Sequence, residues 1–127
     1  MLARANTKVN NYTFKGNSDH WSAEYITKQI ITETTKNDRL SYDTEFNSKF
    51  ILTYKGDISE LRNAKKLVYT DERSTGKGKS EIEFTSPPEE KVFTSQQSGK
   101  GCSLLSSDEV IKVTVDLDGK KESFNLK

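Results

Sequence analysis

One short segment holds most of the side-chain types that a catalytic site would need. Gly16-Asn17-Ser18-Asp19-His20-Trp21 gathers a hydroxyl, a carboxylate and the only imidazole in the chain. These are the parts of a Ser-His-Asp relay, in which the imidazole takes the hydroxyl proton and the carboxylate orients the ring. That relay is a matter of geometry, and neighbours along an extended chain point to opposite faces. No Gly-x-Ser-x-Gly elbow presents Ser18 as a nucleophile. The segment therefore reads as a dense turn leading into a core Trp21, and no catalytic residue is assigned.

The other chemistry-bearing residues are weaker candidates. Cys102 is the only cysteine, so no intramolecular disulfide forms, and a reactive thiol would need an electropositive setting that its Ser- and Gly-rich surroundings do not offer. One His and one Cys do not make the usual zinc site. Asp116-Leu117-Asp118-Gly119 has too few ligands for an EF-hand loop. Gly78-Lys79-Ser80 is like the end of a phosphate-binding loop, but Arg73 stands where the earlier glycine is needed and a strand follows instead of a helix. Glu81 and Glu83, Glu89-Glu90 and Asp108-Glu109 could serve as acid–base pairs only if the fold made them converge; they read as solvated surface. No cofactor-binding or metal-ligating residue is assigned.

Side chains act only where a scaffold holds them, and the scaffold is modest. The chain has 127 residues and a mass of 14.4 kDa, one domain's worth. Only 31% of residues are hydrophobic and another 31% are charged. Basic and acidic residues number 20 and 19, so the excess of positive charge that marks nucleic-acid binding is missing. The densest basic stretch, Arg73 to Lys79, reads as a solvated loop. Apolar runs such as Phe50-Ile51-Leu52 are far shorter than the roughly 20 residues of a membrane helix. Met1-Leu2-Ala3-Arg4-Ala5 lacks the apolar core of a signal peptide.

The periodicity is that of strands. Residues 1–10 read as a flexible tail, and 11–127 as one domain. Tyr12-Thr13-Phe14 alternates briefly. A long strand is expected from about His20 to Thr32, with Trp21, Ala23 and Tyr25 on one face. Phe46, Ser48, Phe50, Leu52 and Tyr54 give a period of two, as do Leu67-Val68-Tyr69-Thr70 and Ile82 with Phe84. Asp57-Ile58-Ser59-Glu60 could open one or two helical turns. Residues 71–79 read as a long hydrophilic connection, and 86–107 as the most mobile loop, with an uncertain strand or two. The firmest element is the end of the chain. Asp118-Gly119 is a two-residue hairpin signal, and its register pairs Val113 with Phe124 and Ile111 with Leu126. About seven short strands predict an all-β, immunoglobulin-like antiparallel β-sandwich, with a closed barrel as the alternative. Trp21, Tyr25, Phe46, Phe50, Phe84 and Phe124 are the expected core aromatics.

Two stretches resemble a known group. Gly16 to Tyr25 (GNSDHWSAEY) is similar to the "G-E-S-x-N-W-x-x-x-Y" stretch of small exported proteins of Gram-positive bacteria, lipoproteins of unassigned function. Val113 to Leu126 (VTVDLDGKKESFNL) resembles their closing "V-x-I-x-W-x-G-K-x-E-x-F-x-L" hairpin, and the likeness spans roughly residues 12–126. Leu117 stands where that group often has Trp, and the lipid-bearing cysteine has no counterpart here. The resemblance implies an extracellular domain at the cell envelope, tethered through an anchor that this chain does not carry. It brings no catalytic residues. The function expected is non-enzymatic: a binding or accessory module for a protein, peptide or cell-wall component, without nucleic acid. The alternative is a structural spacer domain of a membrane-anchored lipoprotein. The loops 71–79 and 94–108 are the expected recognition elements, and pairing at an edge strand is a second mode.

Overall fold

The structure, a computed structural model, describes residues 4–101 and 104–127, with side chains from residue 6 onward. Cys102 and the reading made for it lie outside the described residues. The chain forms eight strands: β1 (Arg4–Asn17), β2 (Trp21–Lys36), β3 (Arg39–Tyr54), β4 (Lys66–Arg73), β5 (Gly76–Glu83), β6 (Val92–Lys100), β7 (Ile111–Leu117) and β8 (Lys120–Leu126). They build two antiparallel four-stranded sheets, ordered β1-β2-β3-β6 and β5-β4-β7-β8. The expected all-β sandwich is present, with one strand more than anticipated.

Alternation decides which side chains meet between the layers. Phe14, Trp21, Ala23, Tyr25, Phe50, Leu52 and Tyr54 from the first sheet pack against Leu67, Tyr69, Ile111, Val113, Val115 and Leu126 from the second. Leu61 and Leu105 close the core from connecting segments. Of the expected core aromatics, Trp21, Tyr25 and Phe50 are fully inside. Phe84 and Phe124 pack from the margin, half-buried, and Phe46 lines a polar cavity instead. Small aliphatics of the shorter sheet carry what those rings were expected to carry.

The turns obey backbone chemistry. Asp118 and Gly119 have φ of 51° and 90°, and the β7–β8 register pairs Leu117 with Lys120, Val113 with Phe124 and Ile111 with Leu126, as the pattern predicts. Asn37 and Asp38, with φ of 52° and 59°, make a second two-residue turn between β2 and β3, residue types that tolerate the left-handed region. Asp57 opens only a single 3-10 turn, Ile58–Leu61, and its side chain does not cap it.

Three expectations are corrected. Residues 4–10 are not a separate tail but the first half of β1, paired with β2 from Arg4↔Thr35 onward. Residues 71–79 are not a loop: they are the end of β4, a turn at 74–75, and the start of β5. Much of 94–108 is likewise strand, since β6 runs to Lys100 against β3. Along one side the sandwich is stitched shut by main-chain bonds. Lys15 and Lys127 exchange N–H···O bonds of 3.2 and 3.0 Å, joining β1 to the end of β8.

Candidate functional site

The turn after β1 is built tightly. The Ser18 N–H donates to the Trp21 carbonyl at 2.7 Å. The segment after β3 clamps it from outside: the Lys55 N–H donates to the His20 carbonyl and the Lys55 ammonium to the Ser18 carbonyl, both at 2.8 Å. These bonds fix where Ser18 and His20 aim. Both aim at Glu122, which β8 places on the inward register opposite Val115.

Glu122 collects three donors. The Ser18 hydroxyl donates to Oε1 at 2.6 Å, and the His20 amide N–H to the same oxygen at 3.1 Å. The His20 Nδ1 lies 2.8 Å from Oε2. Partial burial opposes the charge, but the hydrogen bonds from Ser18, the His20 amide and the His20 ring outweigh it and hold the carboxyl below its ordinary range. The Ser18 hydroxyl is therefore spent on the carboxylate, not on the imidazole. Serine and histidine share an anion, and the Oγ-to-imidazole bond of a nucleophilic relay is not the one formed. Asp19, the carboxylate suggested by sequence proximity, takes no part in the cluster.

Beside the cluster is a cleft of about 360 Å³, lined by His20, Trp21, Tyr54, Glu60, Leu117, Lys120 and Glu122. Its floor is aromatic: the Trp21 and Tyr54 rings meet edge to face at 5.0 Å. The Tyr54 hydroxyl donates to Glu60 at 2.5 Å. That bond, with burial and the nearby negative charges, pushes the phenol up to about 12. Gly56 makes the pairing feasible, because a Cβ there would sit 2.2 Å from the Glu60 carboxylate and 2.7 Å from the Tyr54 ring. The cleft thus offers two carboxylates, one ammonium, an imidazole that is 60% exposed and an apolar base. That combination suits a small polar group with an apolar face.

A second polar cluster lies inside the sandwich. Arg73, expected in a solvated loop, is an interior residue. Its Nε donates to Asp71 at 2.8 Å, one terminal nitrogen to the Tyr25 hydroxyl and the other to Gln97, both at 3.1 Å. Burial pushes the Asp71 carboxyl above its usual range despite the guanidinium beside it. Thr27, Gln29 and Ser48 extend this polar zone around a cavity of only about 50 Å³, room for little more than water.

The remaining candidates are dispersed. Lys79 pairs with Glu81 at 3.0 Å on the outside of β5, and Gly78 packs beneath Asp71 and Gln97, so Gly78-Lys79-Ser80 forms no phosphate cradle. Glu89 and Glu90 are exposed on the connection to β6. Glu109 accepts the Ser74 N–H and hydroxyl at 2.9 and 2.7 Å, capping the β4–β5 turn. Asp116 takes the Gly119 N–H, and Asp118 the N–H groups of Lys65 and Lys66. Among the described residues no three of His, Cys, Asp and Glu gather as a metal would require. Sequence reasoning found Ser18 and His20 but missed Glu122, Glu60 and Lys120. The usable signal was Glu122 itself, a carboxylate in an inward register position of a hairpin whose other inward residues, apart from Lys120 at the tip, are apolar. Comparison with protein-family models, curated proteins and solved structures finds no match to this chain.

Proposed function

We propose that the chain is a non-enzymatic binding module that takes a polar ligand group in the cleft between the Ser18–His20 turn and the β7–β8 hairpin. The observation that carries this reading is the convergence of His20, Glu60, Lys120 and Glu122 on an aromatic floor, from three separate places in the chain. Recognition groups held by a rigid scaffold are what a sandwich end offers. The resemblance to exported Gram-positive proteins supplies the setting: an extracellular domain at the cell envelope, anchored as a lipoprotein, with a protein, peptide or cell-wall component as partner.

A spacer domain is the second reading, and one observation favours it. Ser18 and His20 each bond Glu122 across 102–104 residues of chain, and so latch the two sheets together. Titration with soluble peptidoglycan fragments, followed by amide NMR, separates the two. The module reading expects shifts confined to His20, Trp21, Lys120 and Glu122, abolished in His20→Ala/Lys120→Ala. Shifts elsewhere, or none, would leave the spacer reading.

A further inference from the structure

The outer face of the β1-β2-β3-β6 sheet carries side chains that the fold does not use. On β2, Tyr25, Thr27 and Gln29 point inward and are buried, so Ile26 and Lys28 point out. The pairing registers align two adjacent rungs across all four strands: Thr13–Ile26–Lys49–Gln96 and Asn11–Lys28–Asn47–Ser98. All eight residues are exposed. They include three amides, two hydroxyls, two ammonium groups and no acid. Three inter-strand steps make each rung about 14 Å long.

This face is grooved. A depression of about 620 Å³ is lined by Ile26, Lys28, Asn47, Lys49, Gln96 and Ser98. Lys28 and Lys49 are diagonal neighbours, since Lys28 pairs with Asn47 and Lys49 lies two residues further on. Neither ammonium has an ion-pair or hydrogen-bond partner among the described residues. The acids on the flanking rungs are opposed: Glu24 pairs with Lys15 at 3.6 Å, and Glu45 faces Lys100 in register. Two adjacent, uncompensated cations set among amides form a surface complementary to negative charge.

We propose that this groove is a second binding site, separate from the cleft, and that its occupant is an anionic polysaccharide lying across the strands. Acidic groups of the polymer meet Lys28 and Lys49, its hydroxyls meet Asn47, Gln96 and Ser98, and the apolar face of a sugar ring covers Ile26, which is 38% exposed. A lone small anion would leave most of the groove empty. A single-stranded nucleic acid needs aromatic platforms for its bases, and no aromatic side chain lines the groove.

Native electrophoresis through gels containing polygalacturonate or neutral dextran tests the assignment. The expected result is retardation by polygalacturonate only, weakened about tenfold in Lys28→Ala/Lys49→Ala. Lys77→Ala/Lys112→Ala, with the same loss of charge elsewhere, should stay within about twofold of the parent. His20→Ala/Lys120→Ala should bind as the parent does, which keeps this test independent of the cleft. No retardation, equal retardation by dextran, or equal weakening in both lysine pairs overturns the proposal. So does tighter binding of an oligonucleotide or of phosphatidylglycerol vesicles through the same two lysines.

Discussion

Glu122 shows how one side chain serves both stability and site. Its carboxyl ionises below the ordinary value of 4.5 in the folded chain. A lowered carboxyl stabilises the fold above the unfolded pKa, and that contribution disappears as pH falls through the folded pKa. Asp71 works in the opposite sense. Its carboxyl is raised above the ordinary 3.8, so its contribution is complete below that value and is lost as pH rises through the folded pKa. Glu122→Gln removes the charge that Ser18 and His20 bond. We expect it to cost about 1 kcal/mol at neutral pH, the lower end for charged hydrogen bonds because the site is partly solvated. The difference from the parent should narrow in acid, as pH falls through the lowered folded pKa and the parent carboxyl is itself protonated. Urea unfolding at neutral and acid pH measures it; a gap that persists in acid would mean that packing, not charge, is what Glu122 contributes.

At the level of elements, the least room for a side chain at any described glycine is where β1 meets β8. A Cβ on Gly16 would stand 2.1 Å from the Asn125 carbonyl oxygen, and that oxygen belongs to backbone held by the Lys15–Lys127 bonds. Neither strand moves without opening the seam. Gly16→Ala should therefore destabilise by about 2–3 kcal/mol, read from the urea midpoint, although it adds only one methyl group. Hydrogen exchange at Lys15 and Lys127 should rise with it. That seam was not legible in the sequence, because it joins residues from the two ends of the chain. The β7–β8 hairpin was legible because turn chemistry and period agree there. The first half of β1, and β6 beyond Val92-Phe93, were not. The inward positions of β1 beyond the core are Asn6, Lys8 and Asn10, and those of β6 after Phe93 are Ser95, Gln97 and Gly99. A strand whose inner face meets polar groups has no hydrophobic period to read. The site divides the same way: His20 announced itself by its type, while Glu122 showed its register but not what it would meet.

Across the whole molecule, the interior changes character along its length. Toward the Ser18–His20 end, Trp21, Leu52, Leu67 and Val115 fill the space between the sheets. Further along β2 and β3 the inward positions become Thr27, Gln29 and Ser48, and the interior becomes hydrogen-bonded. Gln29 donates to the Leu105 carbonyl at 3.1 Å, and Ser48 to Thr27 at 2.9 Å. Arg73 anchors this zone by joining β4 to Tyr25 on β2 and Gln97 on β6, and so holds the two layers in one alignment. Such an arrangement costs desolvation, and its gain is positional: a sliding sheet would strand a buried charge. The asymmetry between breaking the pair and replacing it follows directly. Arg73→Met should cost about 3–5 kcal/mol at neutral pH, because Asp71 is left buried without its counter-charge. Acid should relieve part of that cost, since protonating Asp71 removes the stranded charge. Asp71→Asn/Arg73→Met should recover much of the loss at neutral pH, and a cycle of the two single variants and the double variant in urea gives the coupling. If the double variant is as unstable as Arg73→Met alone, the guanidinium matters for its bonds to Tyr25 and Gln97 and not for neutralising Asp71.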